Sequence, residues 1–226
     1  MTDPNQPPPN HRLRLTFAKR KQIKYISHLD LVLAWERALR RAQIPLAYSQ
    51  GFNPRPKIQI ASSLPLGTIS LAEIMDIIVT QPLNLAEFLD RVRAALPAGL
   101  ELHSVEQVPL KTPSLQQLLR QAEYRVTVET TLAPEQLTER IQALLASDKV
   151  IQTRHRKKQD EEFDLRPWLY ELELTSVTPG EVQLQMRLAA GQSGNLRPEE
   201  VLKALGLEQD WAEIERTRLI FDKLPG

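Results

Sequence analysis

The sequence predicts an α+β fold built from two tandem ferredoxin-like (split βαβ) domains. Over residues 12–108 the main predicted elements, without the shortest strand, follow the order strand–helix–strand–strand–helix–strand, which is the split βαβ order. A similar order of strands and helices returns over residues 122–226. Residues 109–121 contain two prolines and a leucine-rich stretch, which predict a linker with a short helix. A length of 226 residues is enough for two domains of ordinary size.

Residues 12–108 carry clear periodic signals. Leu13, Leu15 and Phe17 alternate with polar residues, which is typical of a half-buried strand. Ser27 is a good helix N-cap, and Pro45 prevents the helix from continuing past it. The other predicted elements are a helix from Ser27 to about Gln43, a strand over 46–49, a loop over 50–57, strands over 58–60 and 73–80, a helix over 85–96 and a strand over 100–105.

Residues 122–226 show the second set of elements. A strand leads to Pro134, which is favoured in the first turn of a helix. The predicted elements are strands over 124–129, 149–155, 168–177, 182–188 and 212–221, and helices over 134–146 and 198–206. A charged connection joins the strands over 149–155 and 168–177. At the other end of the chain, residues 1–11 are polar and proline-rich, which predicts a disordered or extended lead-in.

The composition is that of an ordinary globular protein, with 42% apolar and 25% charged residues. The chain has no cysteine, which excludes disulfides, thiolate metal sites and iron–sulfur clusters held by this chain. No apolar run approaches the roughly 18 residues of a membrane span, and the N-terminus lacks the shape of a signal peptide. We therefore expect a cytoplasmic protein that does not contact the membrane. No metal-ligand spacing is present, so we expect no metal and no cofactor.

The net charge of +1 hides an uneven distribution along the chain. Residues 1–60 have a net charge of +8, residues 61–110 of −4 and residues 111–226 of −3. A local basic field can hold phosphates on a nearly neutral protein, and the interleaved Tyr25, Tyr48 and Phe52 can stack on unpaired bases. One alternative is a solvated basic face. Another is that Tyr48 and Phe52 lie in the core and the arginines pair with acidic residues of the second domain. The candidate nucleic-acid-binding residues are Lys19, Arg20, Lys21, Lys24, Arg37, Arg40, Arg41, Arg55 and Lys57.

A candidate pocket involves the start of the first helix and the loop over 50–57. Pro54 and Pro56 restrict the residues before them to extended geometry, and Gly51 permits a sharp turn. We expect Phe52 to be buried and to anchor this loop beside the helix N-terminus, which favours anions. The predicted pocket residues are Ser27, His28, Asp30, Tyr48, Ser49, Gln50 and Asn53.

His28 is the candidate catalytic residue, because a neutral imidazole beside a hydroxyl can act as a general base on RNA. The alternative is a helix-capping segment whose histidine packs against the loop.

Several ordered segments resemble the radical-SAM-linked protein family, a bacterial domain of unknown function that is fused to, or encoded beside, radical-SAM proteins. The segments are residues 25–30 (YISHLD), 36–42 (ERALRRA), 48–54 (YSQGFNP) and 64–67 (LPLG), together with Glu73. One departure is Arg55, where family members often have histidine. The resemblance implies a radical-SAM protein as a partner, with RNA or a ribonuclease E/G as further candidates.

These observations favour a non-catalytic protein that binds RNA or presents a substrate to a radical-SAM enzyme, in RNA metabolism. One alternative is a metal-independent endoribonuclease with His28 as acid or base. The other is a protein–protein adaptor without nucleic acid.

Overall fold

The structure, a computed structural model, describes residues 10–156, 159–192 and 194–222. It is a mixed α/β fold, with five α-helices in the described part of the chain. The chain divides into two compact units after residue 118. Most of the predicted lead-in, residues 1–9, and the last four residues of the predicted second domain lie outside the described residues. No helix within the described residues is long and apolar enough to cross a membrane.

The first unit contains a four-stranded antiparallel sheet in the order β4-β1-β3-β2. The fourth strand therefore lies beside the first, and the third separates the first from the second. The elements are β1 (His11–Lys19), α1 (His28–Arg41), β2 (Ile58–Ile60), β3 (Ile69–Val79), α2 (Leu85–Ala95), β4 (Leu100–Val108) and α3 (Leu115–Leu118). The predicted linker over 109–121 thus holds α3 and the beginning of the next strand.

The core of the first unit lies between the sheet and the two long helices. Phe17 on β1 meets Trp35 on α1 edge to face, with ring centroids 4.9 Å apart. Both rings are fully buried, and burial of a large aromatic side chain contributes roughly 1.5–3 kcal/mol. Leu31 and Leu39 lie one turn before and one turn after Trp35, which fixes the buried face of α1. The part of the helix that is exposed to solvent includes Leu29, Leu33, Arg37 and Arg40.

The ends of α1 are set by local sequence. The Ser27 hydroxyl accepts a hydrogen bond from the Asp30 backbone amide at 3.1 Å, as the capping pattern predicts. At the other end Gln43 takes a left-handed conformation, with φ at 53°. The Ile44 amide donates to the Leu39 carbonyl, which closes the helix before Pro45.

The strand predicted over residues 46–49 does not form. Leu46 makes one isolated bridge with Val79, and Tyr48 makes another with Pro56. Pro45 and Pro56 have no amide hydrogen to donate, so a continuous ladder cannot extend through this region. The segment is therefore the base of a loop and not a strand of the sheet.

The second unit has a four-stranded antiparallel sheet in the order β10-β5-β9-β8. Across the sheet, these four strands follow the same order as those of the first unit, because the last strand again lies beside the first. The elements are β5 (Leu119–Glu129), α4 (Pro134–Ala146), β6 (Ile151–Arg156), β7 (Gln159–Asp164), β8 (Leu169–Thr178), β9 (Glu181–Ala189), α5 (Pro198–Leu205) and β10 (Trp211–Phe221).

The strands predicted over 149–155 and 168–177 belong to different sheets. Strands β6 and β7 form a separate two-stranded hairpin, while β8 pairs with β9. Within the hairpin Arg154 stands opposite Glu161. Opposite charges across antiparallel strands favour this pairing. The charged connection thus contains the second strand of a hairpin, in keeping with its alternating blocks of basic and acidic residues.

Arg154, in the middle of β6, connects this hairpin to the rest of the second unit. Its guanidinium lies 4.3 Å from the centre of the Phe163 ring and makes hydrogen bonds of 2.6 and 2.8 Å with the carboxylate of Glu200. Phe163 stacks on Trp168 with centroids 5.5 Å apart. The contact with Glu200 therefore joins the hairpin to α5.

Candidate nucleic-acid interface

The nine cations predicted to bind nucleic acid do not form one surface. Lys19 is buried, with 1% of its surface exposed. Its ammonium donates to the Lys24 carbonyl at 2.9 Å and approaches the Ile26 carbonyl at 3.5 Å. These contacts order the turn that leads into α1. Lys19 is thus part of the interior, and its inclusion in an exposed basic face is wrong.

Two further cations of the predicted set bind groups of the protein itself. The Arg20 guanidinium contacts the Glu101 carboxylate at 2.6 Å. This hydrogen bond is the main reason that the pKa of Glu101 lies below its ordinary value. Arg41 donates to the Ala95 carbonyl at 2.6 Å, at the end of α2. Both contacts are exposed to solvent. They therefore orient the side chains of Arg20 and Arg41 but leave them accessible.

Of the nine predicted cations, three are exposed and have no ion pair among the described residues. They are Arg37, in the third turn of α1, and Arg55 and Lys57, in the loop that follows Tyr48. Lys21 is also exposed. Arg40 pairs with Glu36 at 2.7 Å but keeps 57% of its side chain exposed. Arg37, Arg55 and Lys57 are therefore available to a ligand in solution.

The three aromatic residues of the predicted interface are all exposed. Tyr25 has 70% of its surface accessible, and Tyr48 has 38%. The Lys24 ammonium lies 5.0 Å from the centre of the Tyr25 ring. The Arg40 guanidinium lies 6.0 Å from the centre of the Tyr48 ring. Each tyrosine thus presents a ring beside a positive charge, an arrangement that suits a stacked base and its phosphate.

Phe52 is fully exposed, at 106%, so the expectation that it anchors the loop by burial is wrong. The reason is the way the loop closes. The Ser49 amide donates to the Arg55 carbonyl at 2.9 Å, and the Arg55 amide donates to the Ser49 hydroxyl at 3.0 Å. This pair closes a tight loop with Gly51, at φ 125°, and Phe52 at its tip. The tip projects beyond the core.

The predicted pocket residues serve mainly local roles. Ser27 donates its hydroxyl to the Asp30 carboxylate at 2.7 Å, and Ser49 closes the loop described above. The Asp30 carboxylate thus lies at the N-terminal end of α1, where it repels a phosphate. Gln50 and Asn53 are exposed on the loop.

His28 is half-buried at the first position of α1, and its Nδ1 is buried without a hydrogen-bond partner among the described residues. The nearby carboxylate of Asp30 binds Ser27 instead. A histidine base normally needs a group that orients its ring. Within residues 10–156, 159–192 and 194–222, no three acidic or histidine side chains gather in a way that could hold a metal ion.

The carboxylates of Asp76 and Glu73, for which the sequence suggests exposure to solvent or pairing with arginines, are both buried. Asp76 accepts hydrogen bonds from both Arg12 and Arg14, and all three side chains are at least nine-tenths buried. Glu73 is fully buried and accepts a 2.6 Å hydrogen bond from the Ser70 hydroxyl. The arginines alternate with apolar residues along β1, a pattern that is typical of a solvated strand face. Their partner lies more than 60 residues away in sequence, at separations of 62 and 64.

Fold and site together describe a two-unit α/β protein with an exposed basic and aromatic surface on its first unit. The chain belongs to a family described as an uncharacterized protein conserved in bacteria (DUF2344), which matches residues 12–198. No curated protein matches the sequence.

Among solved structures, a Cbf5-Nop10-Gar1 complex matches with a TM-score of 0.50 and 12% identity, covering 90% of this chain and 48% of that chain. An H/ACA RNP bound to a substrate RNA containing 2'-deoxyuridine matches with a TM-score of 0.46 and 12% identity, over 90% and 47%. A putative glycine cleavage system transcriptional repressor matches with a TM-score of 0.26 and 13% identity, over 94% and 99%. The chain spans about half the length of the first two. At such identities the likeness concerns the fold alone.

Proposed function

We propose that the protein binds unpaired RNA through one surface of its first unit, without cleaving it. This loop surface consists of Arg37, Arg40, Tyr48, Phe52, Arg55 and Lys57. The observation that supports it best is the fully exposed Phe52 ring, on a loop whose base is joined to α1 by the contact of Arg40 with Tyr48.

The chemistry of the loop surface favours unpaired over paired RNA. Aromatic rings stack on bases only where the base faces are open, as in single strands, loops and bulges. In an A-form duplex those faces are covered by the neighbouring base pairs. Arg37, Arg55 and Lys57 supply charge for the phosphates without giving up an existing ion pair. The two kinds of contact together match the alternation of base and phosphate in a strand.

We further propose that each unit is a ferredoxin-like domain, with the first over 12–108, the second over 122–226 and the linker over 109–121. The support is the strand order within each unit, since both place the fourth strand beside the first and the third between the first and the second. The β6–β7 hairpin is then an insertion in the second domain.

The resemblance to the radical-SAM-linked family extends the proposal to a partner. In this view the protein presents bound RNA to a radical-SAM enzyme in the cytoplasm. Radical-SAM chemistry needs a cluster held by thiolates, and this chain has no cysteine. The chemistry would therefore belong to the partner, and this chain would supply recognition.

The test compares unpaired and duplex RNA of the same length and sequence by fluorescence anisotropy. The wild type should prefer the unpaired strand, and its affinity should fall as salt rises because bound phosphates release counterions. Arg37→Glu with Lys57→Glu should abolish binding. Arg41 is not replaced, because its contact with Ala95 would confound stability with binding.

Lys111→Glu with Lys149→Glu is the matched control, because both lysines are exposed and lie outside the loop surface. This control changes the net charge by the same amount and should bind RNA as the wild type does. An equal loss of RNA affinity in both double variants would mean that the loss comes from the change in net charge and not from the loop surface. Equal affinity for unpaired and duplex RNA would contradict the proposal.

A further inference from the structure

A second exposed surface lies at the other end of α1 and is made largely of aliphatic side chains. Leu29 is 73% exposed and Leu33 is 42% exposed. They are four residues apart on the helix, so their side chains lie on one face, one turn apart. Tyr25, in the turn before α1, is 70% exposed, and Leu66 is 63% exposed. We call these four residues the leucine strip.

Leu66 and Tyr25 are held next to each other by the backbone. The Gly67 amide donates to the Lys24 carbonyl at 2.9 Å, which brings the turn after Leu66 against the turn before α1. A Cβ atom at Gly67 would lie 3.7 Å from the Tyr25 ring. The leucine strip thus combines two adjoining turns with the first turns of the helix.

The leucine strip differs from the loop surface in chemistry and in place. Leucine side chains have no π-face for a base to stack on, so they add little to RNA binding. Eleven residues separate Leu29 from Arg40 along α1, which corresponds to about 16 Å at about 1.5 Å per residue. Grouped exposed apolar side chains on a soluble protein mark a surface that binds another protein.

Cations lie at both ends of the leucine strip. Lys24 contacts the Tyr25 ring at 5.0 Å, and Lys21 is exposed in the same turn. Arg37 follows Leu33 by one helical turn. Asp30 is the acidic residue within the strip, and its carboxylate is held by the Ser27 hydroxyl. The charges at the two ends favour a partner that carries acidic residues on either side of an apolar centre.

We propose that the leucine strip docks an amphipathic helix of a partner protein, with apolar residues at its centre and acidic residues at both ends. Leu29 and Leu33 form a short ridge, and ridges of this kind fit the groove between side chains of a second helix. Helix-to-helix docking uses apolar anchors three and four residues apart, which matches the spacing of the two leucines. Arg37 belongs to the loop surface as well, but the proposal does not depend on the RNA-binding function proposed above.

The test uses a synthetic fluorescent peptide about four helical turns long, with leucines on one face and glutamates at both ends. Two comparison peptides have lysines in place of the glutamates, or the same composition with the leucines scattered. The full chain should bind the first peptide and neither of the others, and salt should weaken the binding. Leu29→Ser with Leu33→Ser should weaken it by at least about tenfold, as truncation of central anchor residues does.

Leu110→Ser is the control, because Leu110 is also exposed, at 52%, but lies in the chain after β4 and is not part of the leucine strip. It should leave peptide binding unchanged. The leucine variants should keep the wild-type affinity for unpaired RNA, which separates this proposal from the RNA function. Loss of RNA binding in the leucine variants would overturn it, by making the strip part of the RNA surface. The proposal would also be overturned if the wild type bound all three peptides equally or bound none of them. It would likewise be overturned if the wild type were a dimer and the leucine variants were monomers.

Discussion

The Arg40 guanidinium lies 6.0 Å from the centre of the Tyr48 ring, although the two residues belong to different elements. Arg40 is in the last turn of α1, and Tyr48 begins the loop that carries Phe52. A cation beside an aromatic face contributes about 0.5–1 kcal/mol at an exposed site. The contact therefore holds the loop base next to the helix while the loop tip stays open to solvent.

Replacement of Phe52 by alanine should weaken the binding of unpaired RNA without destabilising the fold. The ring is fully exposed, so its loss removes no core packing. Loss of one stacked base costs about 1–3 kcal/mol, or roughly 5- to 150-fold in affinity. Anisotropy titration measures the affinity, and thermal melting should show an unchanged Tm. Trp211→Ala is the control, since that residue is 51% exposed on the second unit. Equal RNA affinity of Phe52→Ala and wild type would contradict the stacking role.

Replacement of His28 by glutamine should have no effect on RNA integrity, because we expect the wild type to cleave no RNA. The structure gives the ring no carboxylate partner in the described part of the chain. General acid–base catalysis contributes about 10²–10⁴-fold, so cleavage by a catalytic His28 would fall by that factor in the variant. Time courses on labelled RNA without metal measure the rate. Cleavage by the wild type that is lost in His28→Gln would establish the endoribonuclease instead.

The pair of Arg20 and Glu101 predicts a pH dependence with a defined sign. The hydrogen bond from Arg20 lowers the pKa of Glu101 below its ordinary value of 4.5. Because the folded-state pKa is lower than the unfolded one, the pair stabilises the protein above the unfolded pKa. That stability is lost as the pH falls through the folded pKa. Arg20→Gln should raise the pKa of Glu101, as measured by NMR titration of its carboxyl carbon. Arg125→Gln, whose arginine contacts Glu215, should leave it unchanged.

The sequence predicted the parts of the fold that depend on residues close to each other along the chain. Ser27 caps α1 through the backbone three residues ahead, and the buried face follows from the spacing of Leu31, Trp35 and Leu39. Both signals lie within one helix. The loop predicted around Gly51 is also present, since glycine and proline restrict the backbone locally.

The predictions that failed depend on contacts between distant residues. The apolar side chain of Phe52 predicts a buried residue. The hydrogen bonds between Ser49 and Arg55 instead close the loop so that Phe52 lies away from the core. Lys19 resembles its exposed neighbours in sequence, whereas its ammonium binds carbonyls of the turn before α1. Neither outcome can be obtained from residue type or periodicity, because both are set by how the chain closes on itself.

Replacement of Asp76 by asparagine should destabilise the first unit strongly. The Asp76 carboxylate holds the Arg12 and Arg14 guanidiniums at 2.9 Å, and the three side chains are 3–7% exposed. Without that charge, two buried cations lose their counterion, and removal of one partner from a buried ion pair costs about 3–5 kcal/mol. Urea unfolding measures the free energy of unfolding, followed by the tryptophan fluorescence of a Trp168→Phe, Trp211→Phe background in which the buried Trp35 is the remaining tryptophan.

Glu123→Gln provides the surface comparison for this prediction. Its partner Arg218 lies 3.8 Å away and is 67% exposed, so the expected cost is below about 1 kcal/mol. Replacement of the whole buried group by Arg12→Met, Arg14→Met and Asp76→Leu should recover most of the stability lost in Asp76→Asn, because no unpaired charge then remains inside. Arg12 also donates to the Pro113 carbonyl at 3.1 Å, so the triple variant loosens the chain after β4. An Asp76→Asn variant as stable as the wild type would mean that solvent reaches the two guanidiniums, in conflict with their burial.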